Sequence, residues 1–466
     1  MDIQALLHGR LAETYDLHRR YVNPQMVRVL EVLDFNRNYV SGEGAYLLDE
    51  EGRRVLDFLS GFGVFNVGRN HPEIKRVLHD LLDLNTANLV QMDLGLLSGL
   101  LAEALAQATP AGLDAVFFTN SGTEGVEGAL KFARAATGRE KIIFCRRAFH
   151  GLTLGALSVN GNAEFRSRYG PFLPGCEAVP FNDLAALEVA LSGHDVAAFI
   201  AEPIQGKGVF IPDDEYFPGV RRLCDATGTL FIADEVQTGL GRTGRMFAID
   251  HWQVTPDILV VSKGLSGGLV PVGAIITRRE IHGRVFDTMD RCFAHSNTFG
   301  QNDLAMAAGL AALHVLESEG LVQRAAEQGA ALLRGLAQLV ERYEMLHEVR
   351  GKGLMIALQF GEPASLGLKT GWRLVHGLNE DLFGQMITMP LLAQHHILTQ
   401  VAGHGLDTVK LLPPLVIGRE EVEYFLEAID AVLAEAHRFP GSAWSTTKQL
   451  AIRTAMTRGG AKAPSA

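Results

Sequence analysis

The sequence predicts an α/β fold, a mainly parallel sheet packed between helices with a smaller α+β unit beside it, on three observations. From about residue 115, short runs rich in β-branched and aromatic residues alternate with amphipathic stretches, the rhythm of βαβ units. Each amphipathic stretch is long enough to cross a sheet face and bring the chain back for another parallel strand. After Asn302 the pattern changes to two long helical stretches followed by a new strand, which marks a second unit.

Taken in order, strands are predicted over 115–119, 141–145, 197–201, 229–233, 258–261 and 272–277. Helices are predicted over 124–136, 183–191 and 218–226, where apolar residues recur with helical period. Two long helical stretches, one ending at Ser318 and one spanning 321–344, lead to a strand over 353–360, where the second unit begins; it is predicted to run through 382–395, a stretch at 408–417 and a last helix over 420–437. The expected division is 1–75 as the N-terminal part of a small domain, 76–330 as the large domain and 331–440 as the C-terminal part of the small one. Residues 441–466 are small and polar and are expected to be a mobile tail, with a short helix over 446–456 as the alternative.

Composition narrows the function. The chain has 466 residues, and 42 Lys plus Arg against 53 Asp plus Glu leave a net charge of −11, which argues against nucleic acid or an anionic membrane as partner. With 47% hydrophobic and 20% charged residues the chain has ample material for a large core, so disorder is excluded. Cys145, Cys176, Cys224 and Cys292 are far apart and form no C-x-x-C pair, so neither a disulfide framework nor a metal site is expected. A reducing, cytoplasmic setting fits best. The N-terminus lacks a signal layout, and no apolar run approaches the roughly 18 residues of a membrane span.

Two motifs suggest other chemistries. Gly239-Leu-Gly241-Arg-Thr-Gly244 matches a dinucleotide-binding turn and would make the protein an NAD-dependent dehydrogenase, but that fingerprint needs a helix at its third glycine. The continuation Arg245-Met-Phe-Ala-Ile has no helical period. Gly264-Leu-Ser266-Gly-Gly268 matches the nucleophile elbow of a serine hydrolase, yet the residues after it read as loop and strand. His395 and His396 are adjacent in a helical stretch and cannot face one metal.

Three elements carry a more specific chemistry. Ser121-Gly122-Thr123-Glu124 follows a strand and opens a helix with capping-box spacing; an ordinary capped helix would look the same, but the glycine permits close approach of an anion to free N–H groups. Asp234 ends the apolar run 229–233, so its carboxylate should emerge at the sheet's carboxyl edge, where ligands bind; the plainer alternative is a turn residue. Lys263 ends the run 257–262 and enters a glycine-rich turn, as a lysine that condenses with an aldehyde would, although a surface lysine just past a strand is the bland alternative. An anion cradle, an acid and an amine at neighbouring strand ends are the set that pyridoxal phosphate requires.

At this point the sequence resembles the class III (ornithine/4-aminobutyrate type) pyridoxal-phosphate-dependent aminotransferases of fold type I. The likeness runs from about Gly44 to about Arg438, through Asn120-Ser-Gly-Thr-Glu124, Phe149-His-Gly151, Glu202-Pro-Ile-Gln205, Asp234-Glu-Val-Gln-Thr-Gly239, Ser262-Lys-Gly264, Asn297-Thr-Phe-Gly300 and Val349-Arg-Gly-Lys-Gly353. It implies a large domain with a mainly parallel seven-stranded sheet and pyridoxal 5′-phosphate held covalently by Lys263. It further implies Asp234 at the ring nitrogen, Gln237 near the ring's phenolic oxygen, and Ser121, Gly122 and Thr123 at the phosphate. Phe149 would stack on the ring, with His150 as its structural neighbour and Glu202 in support behind. Thr298 resembles the threonine that reaches the phosphate from a second subunit, so a homodimer with shared active sites is implied. Arg350 matches the family's arginine for a substrate carboxylate, and Phe62, Val64 and Phe65 would line the substrate mouth.

The chain departs from the family at three positions. Lys207 stands where ornithine- and 4-aminobutyrate-type members often carry a glutamate that pairs with the arginine, so a carboxylate-masking switch is expected to be missing or different. Arg69 replaces a frequent histidine and Gln301 a frequent glycine. The expected activity is ping-pong transamination from an omega-amine, a diamine or a long, partly apolar amine to a 2-oxo acid such as 2-oxoglutarate or pyruvate. A racemase, aminomutase or decarboxylase of the same fold would use the same residues. A non-catalytic interaction protein is the remaining alternative.

Overall fold

Runs that are apolar at every position become the interior strands of one large sheet, because helices cover both of its faces. The computed structural model describes residues 1–378, 382–403, 405–441, 443–444 and 450. Three N-terminal strands come first: β1 (Tyr39–Glu43), β2 (Tyr46–Asp49) and β3 (Arg54–Asp57). The large sheet follows with β4 (Ala115–Thr119), β5 (Lys141–Cys145), β6 (Cys176–Val179), β7 (Val196–Ala201), β8 (Leu230–Asp234), β9 (Ile258–Val261) and β10 (Gly273–Thr277). Its order is β4-β10-β9-β8-β7-β5-β6, which places β8 at the centre. Pairings from β6 through β9 are parallel, and only β10 runs against its two neighbours. The expected seven-stranded, mainly parallel sheet is therefore present.

Alternate residues of these strands feed opposite faces. Ile142, Ile200, Ile232 and Val260 pack with Val126, Ala129 and Phe132 of the helix Gly122–Thr137. Ile143, Phe199, Phe231 and Leu259 pack on the other side with Phe217 and Val220 of the helix Tyr216–Thr227. Strand β6 was not predicted. It has four residues at the sheet's edge and only its last, Val179, is buried, so no apolar run announces it.

The helix Asp303–Ser318 packs against the helices Pro72–Asp83 and Leu96–Ala108 of the large unit, and the second unit contains the helices Leu321–Arg342, Phe383–His395 and Arg419–Ala436; those at 303–318, 321–342 and 419–436 lie within a few residues of their predicted bounds. The second unit's strands are β11 (Leu346–Lys352), β12 (Met355–Phe360), the two-residue β13 (Ile397–Leu398) and β14 (Gln400–Val401), and β15 (Thr408–Leu411). They form an antiparallel sheet in the order β11-β12-β15-β14, while β13 pairs in parallel with β3 and so joins the two ends of the chain. The predicted single strand over 353–360 is one arm of a hairpin. Its partner β11 escaped notice because His347, Glu348, Arg350 and Lys352 give an edge strand no apolar alternation. The expected tail falls almost wholly outside the described residues, as does the short helix considered there.

Candidate active site

Strands β5, β7, β8 and β9 all deliver their carboxyl ends to one edge of the sheet, the position where open α/β sheets bind ligands. A cavity of about 970 Å³ opens there, and Lys263 and Asp234 both line it. Two residues 29 positions apart in sequence thus face one space, because they end adjacent strands.

The anion cradle forms at the start of the helix Gly122–Thr137. Ser121 is extended, and its hydroxyl accepts from the Glu124 N–H at 3.3 Å. The expected reciprocal bond goes one residue further back: Glu124 accepts from the Asn120 N–H at 2.8 Å and from the Asn120 amide at 3.0 Å. The first-turn N–H groups of Gly122 and Thr123 remain at the positive end of the helix dipole and line the cavity. Gly122 has no room for a side chain, since a Cβ would lie 2.7 and 2.9 Å from the two methyls of Val236. Gly122→Ala is expected to push Val236 against its neighbours Asp234 and Gln237 at a cost of about 1–3 kcal/mol, weakening cofactor retention about 5- to 150-fold. Equilibrium dialysis followed by visible absorbance measures this; unchanged retention would remove the close approach as a requirement.

Asp234 is 3% exposed. Its carboxylate accepts from His150 Nδ1–H at 2.7 Å and from the Val236 N–H at 3.0 Å. The other ring nitrogen of His150 is buried and has no hydrogen-bond partner among the described residues. Glu202, at the end of β7, accepts from the Phe149 N–H at 2.9 Å and the Gly206 N–H at 2.7 Å, so it ties two lining loops together. Burial raises the Glu202 carboxyl above its ordinary range, against the pull of His150. Burial lowers the Lys263 amine, against the pull of Asp234 and Glu202. Lys263 also adopts a left-handed backbone, φ 42°, a strained conformation of the kind that clusters at functional sites.

Of the other expected site residues, Phe62, Val64, Phe149, Glu202 and Gln237 line the cavity. Gln237 donates to the Phe62 carbonyl at 3.0 Å. Phe65 does not line it and lies under the Arg69 guanidinium at 4.0 Å; Arg69 in turn pairs with the buried Asp57 at 2.8 Å. Thr298 is exposed outside the cavity of its own chain.

The expectation for Arg350 is corrected. It lies within β11, and its fork is occupied by the carbonyls of Val209 (2.9 Å) and Gly208 (2.6 Å) and by Glu348 (2.9 Å), so it does not reach the cavity. A cation that the sequence reading missed does. Lys410, in the middle of β15 and 5% exposed, donates to the Gly206 carbonyl at 2.8 Å and to the Gln237 amide oxygen at 3.4 Å. Burial, then the neighbouring Lys263, pulls its amine down to about 7. The signal was available: a lysine inside the apolar run Val409-Lys-Leu-Leu412 is as anomalous as Lys263 at the end of its strand. The departure at Lys207 also acquires a setting, because that residue lines the cavity and pairs with Glu164.

The rival motifs fail on geometry. No helix follows Gly244, whose stretch continues through turns into the short 3₁₀ segment Ala248–Trp252. Ser266 ends the 3₁₀ turn Lys263–Ser266, and a loop into β10 follows instead of a helix.

An amine depressed by burial, a buried acid braced by His150, and a helix N-terminus too tight for a Cβ fit the aldehyde, ring nitrogen and phosphate of pyridoxal 5′-phosphate. Comparison with known proteins agrees. The family model "Aminotransferase class-III" matches residues 30–433. A putrescine aminotransferase from Pectobacterium atrosepticum is 38% identical over 437 residues, covering 90% of this chain and 88% of that one. Aminotransferase PigE from a Serratia species is 33% identical over 92% of this chain, which spans 54% of PigE's length. Among solved structures, a PLP-bound amine transaminase from an uncultivated Pseudomonas species superposes with a TM-score of 0.74 at 33% identity, covering 85% of this chain and 94% of that one. With a sheet edge arranged in this way and a match over most of its length, the chain belongs to the class III aminotransferases, enzymes that move amino groups with pyridoxal 5′-phosphate.

Proposed function

We propose that Lys263 is the catalytic residue of a ping-pong transamination between a primary amine and a 2-oxo acid such as 2-oxoglutarate or pyruvate. The observation that carries this reading is the convergence of Lys263 and Asp234 on one cavity. Pyridoxal 5′-phosphate, when bound, supplies an electron sink for the carbon that bears the substrate's amine. Asp234 holds a proton at the ring nitrogen, and His150 fixes the direction of that carboxylate. Ser121, Gly122 and Thr123 hold the phosphate, and Phe149 covers a ring face. Gln237 binds from the side of the phenolic oxygen, where its amide is oriented by Phe62 and Lys410. Lys263 Nζ, lowered by burial, moves the proton at the substrate carbon in both half-reactions. Phe62 and Val64 face the donor's carbon chain.

The active unit is a homodimer in which Thr298 of each chain completes the other's phosphate site. The exposed Met92, Leu94, Phe293 and Phe299 supply the apolar surface that such a partner covers. A cytoplasmic setting is consistent with four free cysteines, two of them buried. Borohydride reduction of the yellow enzyme followed by peptide mapping is expected to leave the label on Lys263, and light scattering to give twice the 50.6 kDa chain mass. A label on any other lysine, or a monomer with full activity, would overturn the corresponding part.

A further inference from the structure

We propose that Glu127 is a positioning residue for the anion cradle: acting through Thr153, it draws the Thr123 hydroxyl proton away from the cavity, so that Thr123 serves the phosphate by its backbone N–H and turns an oxygen lone pair toward it. The proposal rests on the reading of this helix start as the phosphate site of a transaminase.

The direction of each proton follows from the donors present. Glu127 lies on the same helix as Thr123, one turn further along, and its Oε1 accepts from the N–H groups of Gly155 at 2.8 Å and Ala156 at 3.1 Å. An N–H can only donate, so this oxygen is an acceptor, and the Thr153 hydroxyl at 2.5 Å donates to it. A hydroxyl has one proton. The Thr153 oxygen also lies 2.8 Å from the Thr123 oxygen, and with its own proton spent it can only accept there. Thr123 is therefore the donor of that pair. The Thr153 N–H, 3.3 Å away, takes one lone pair of the Thr123 oxygen, and the other is left for the cavity that Thr123 lines.

The packing leaves this chain of hydrogen bonds no slack. A Cβ at Gly151 would overlap the Thr123 hydroxyl, and one at Gly155 would overlap the Glu127 carboxylate, so the loop that brings Phe149 and His150 to the cavity presses on the helix at both places. Ser121 differs from Thr123. Its hydroxyl oxygen accepts from the Glu124 N–H, which leaves the Ser121 proton for a phosphate. Two hydroxyls separated by one glycine thus have opposite duties, and nothing in Ser121-Gly-Thr123 as a sequence announces it.

The test compares retention of pyridoxal 5′-phosphate with that of pyridoxal, which lacks the phosphate, by equilibrium dialysis of the full-length enzyme and visible absorbance. The ratio of the two dissociation constants isolates the phosphate from any general loosening of the loop. Thr153→Val removes the acceptor and frees the Thr123 proton to reach the phosphate, so it is expected to raise the preference for the phosphorylated form about three- to tenfold. In a Thr123→Val background the same substitution should give no gain. Glu127→Leu releases the Thr153 proton to Thr123 and should also give the gain, whereas Glu127→Gln, whose amide oxygen still accepts from Thr153, should not. Thr153→Ala removes the same acceptor with less bulk and takes the place of Thr153→Val if that variant does not fold. A preference that is unchanged or lowered in Thr153→Val, as a merely structural loop contact would give, or a gain that persists without the Thr123 hydroxyl, overturns the proposal. A wild-type enzyme that holds pyridoxal as tightly as pyridoxal 5′-phosphate would instead strike the phosphate reading of the helix start.

Discussion

Lys263→Ala is expected to abolish transamination, with turnover falling about 10⁴-fold or more, because the proposed function gives one side chain both the covalent tether and the base. The structure gives physical grounds for assigning both duties to this amine. It follows the buried strand β9 on a turn held at φ 42°, and burial lowers its pKa while Asp234 and Glu202 restrain the drop. An amine so placed is neutral over more of the working range than a surface lysine, so it attacks a carbonyl and accepts a proton more readily. Steady-state rates, with far-UV circular dichroism to show that the variant folds, provide the measurement. A small added amine such as methylamine should restore part of the proton transfer, which no purely structural role for Lys263 would produce. Retention of more than about 1% of wild-type turnover would dismiss Lys263 from both duties.

Asp234→Asn is expected to cost about 3–4 kcal/mol of transition-state stabilisation, or two to three orders of magnitude in kcat. The amide has nearly the carboxylate's shape and can still accept from His150 or from the Val236 N–H, so the fold should survive. What it loses is the negative charge that, in the proposed function, keeps a proton on the ring nitrogen. Such a deficit should appear in kcat far more than in the KM of the amine. A variant with near-normal kcat would show that the carboxylate is no more than a brace for His150.

The parts of this site that were readable in advance depend on short stretches of chain. Asp234 and Lys263 end strands buried on both faces, so an abrupt change from apolar to ionisable marks them without any long-range information. The Ser121 cap is a matter of four consecutive residues. Arg350 and Lys410 were opposite cases. A guanidinium suits a carboxylate wherever it sits, but whether it is already filled depends on Gly208 and Val209, some 140 residues away. Lys410 belongs to the cavity only because β15 is laid beside β12 in the second sheet and its side chain reaches the loop at Gly206. The same distance problem hid β11, an edge strand with a polar sequence, and β6, whose pairing with β5 supplies what its composition does not. Arg69 could be noted as unusual in sequence, but its role as the partner of Asp57 beneath the residues that lead to Phe62 and Val64 needed coordinates.

The pairing of β13 with β3 has a consequence for how the enzyme comes into being. Leu56 and Phe58 donate to the carbonyls of His396 and Leu398, and the Ser60 hydroxyl reaches Leu412, so the lip that carries Phe62 is fastened by residues made more than 300 positions later. A chain still emerging from the ribosome can close the β5 to β9 region early, yet the lip that carries Phe62 is not fastened until residues 396–412 have followed. The lip beside Phe62 is thus completed late, after the strands that bring Asp234 and Lys263 together have already been made.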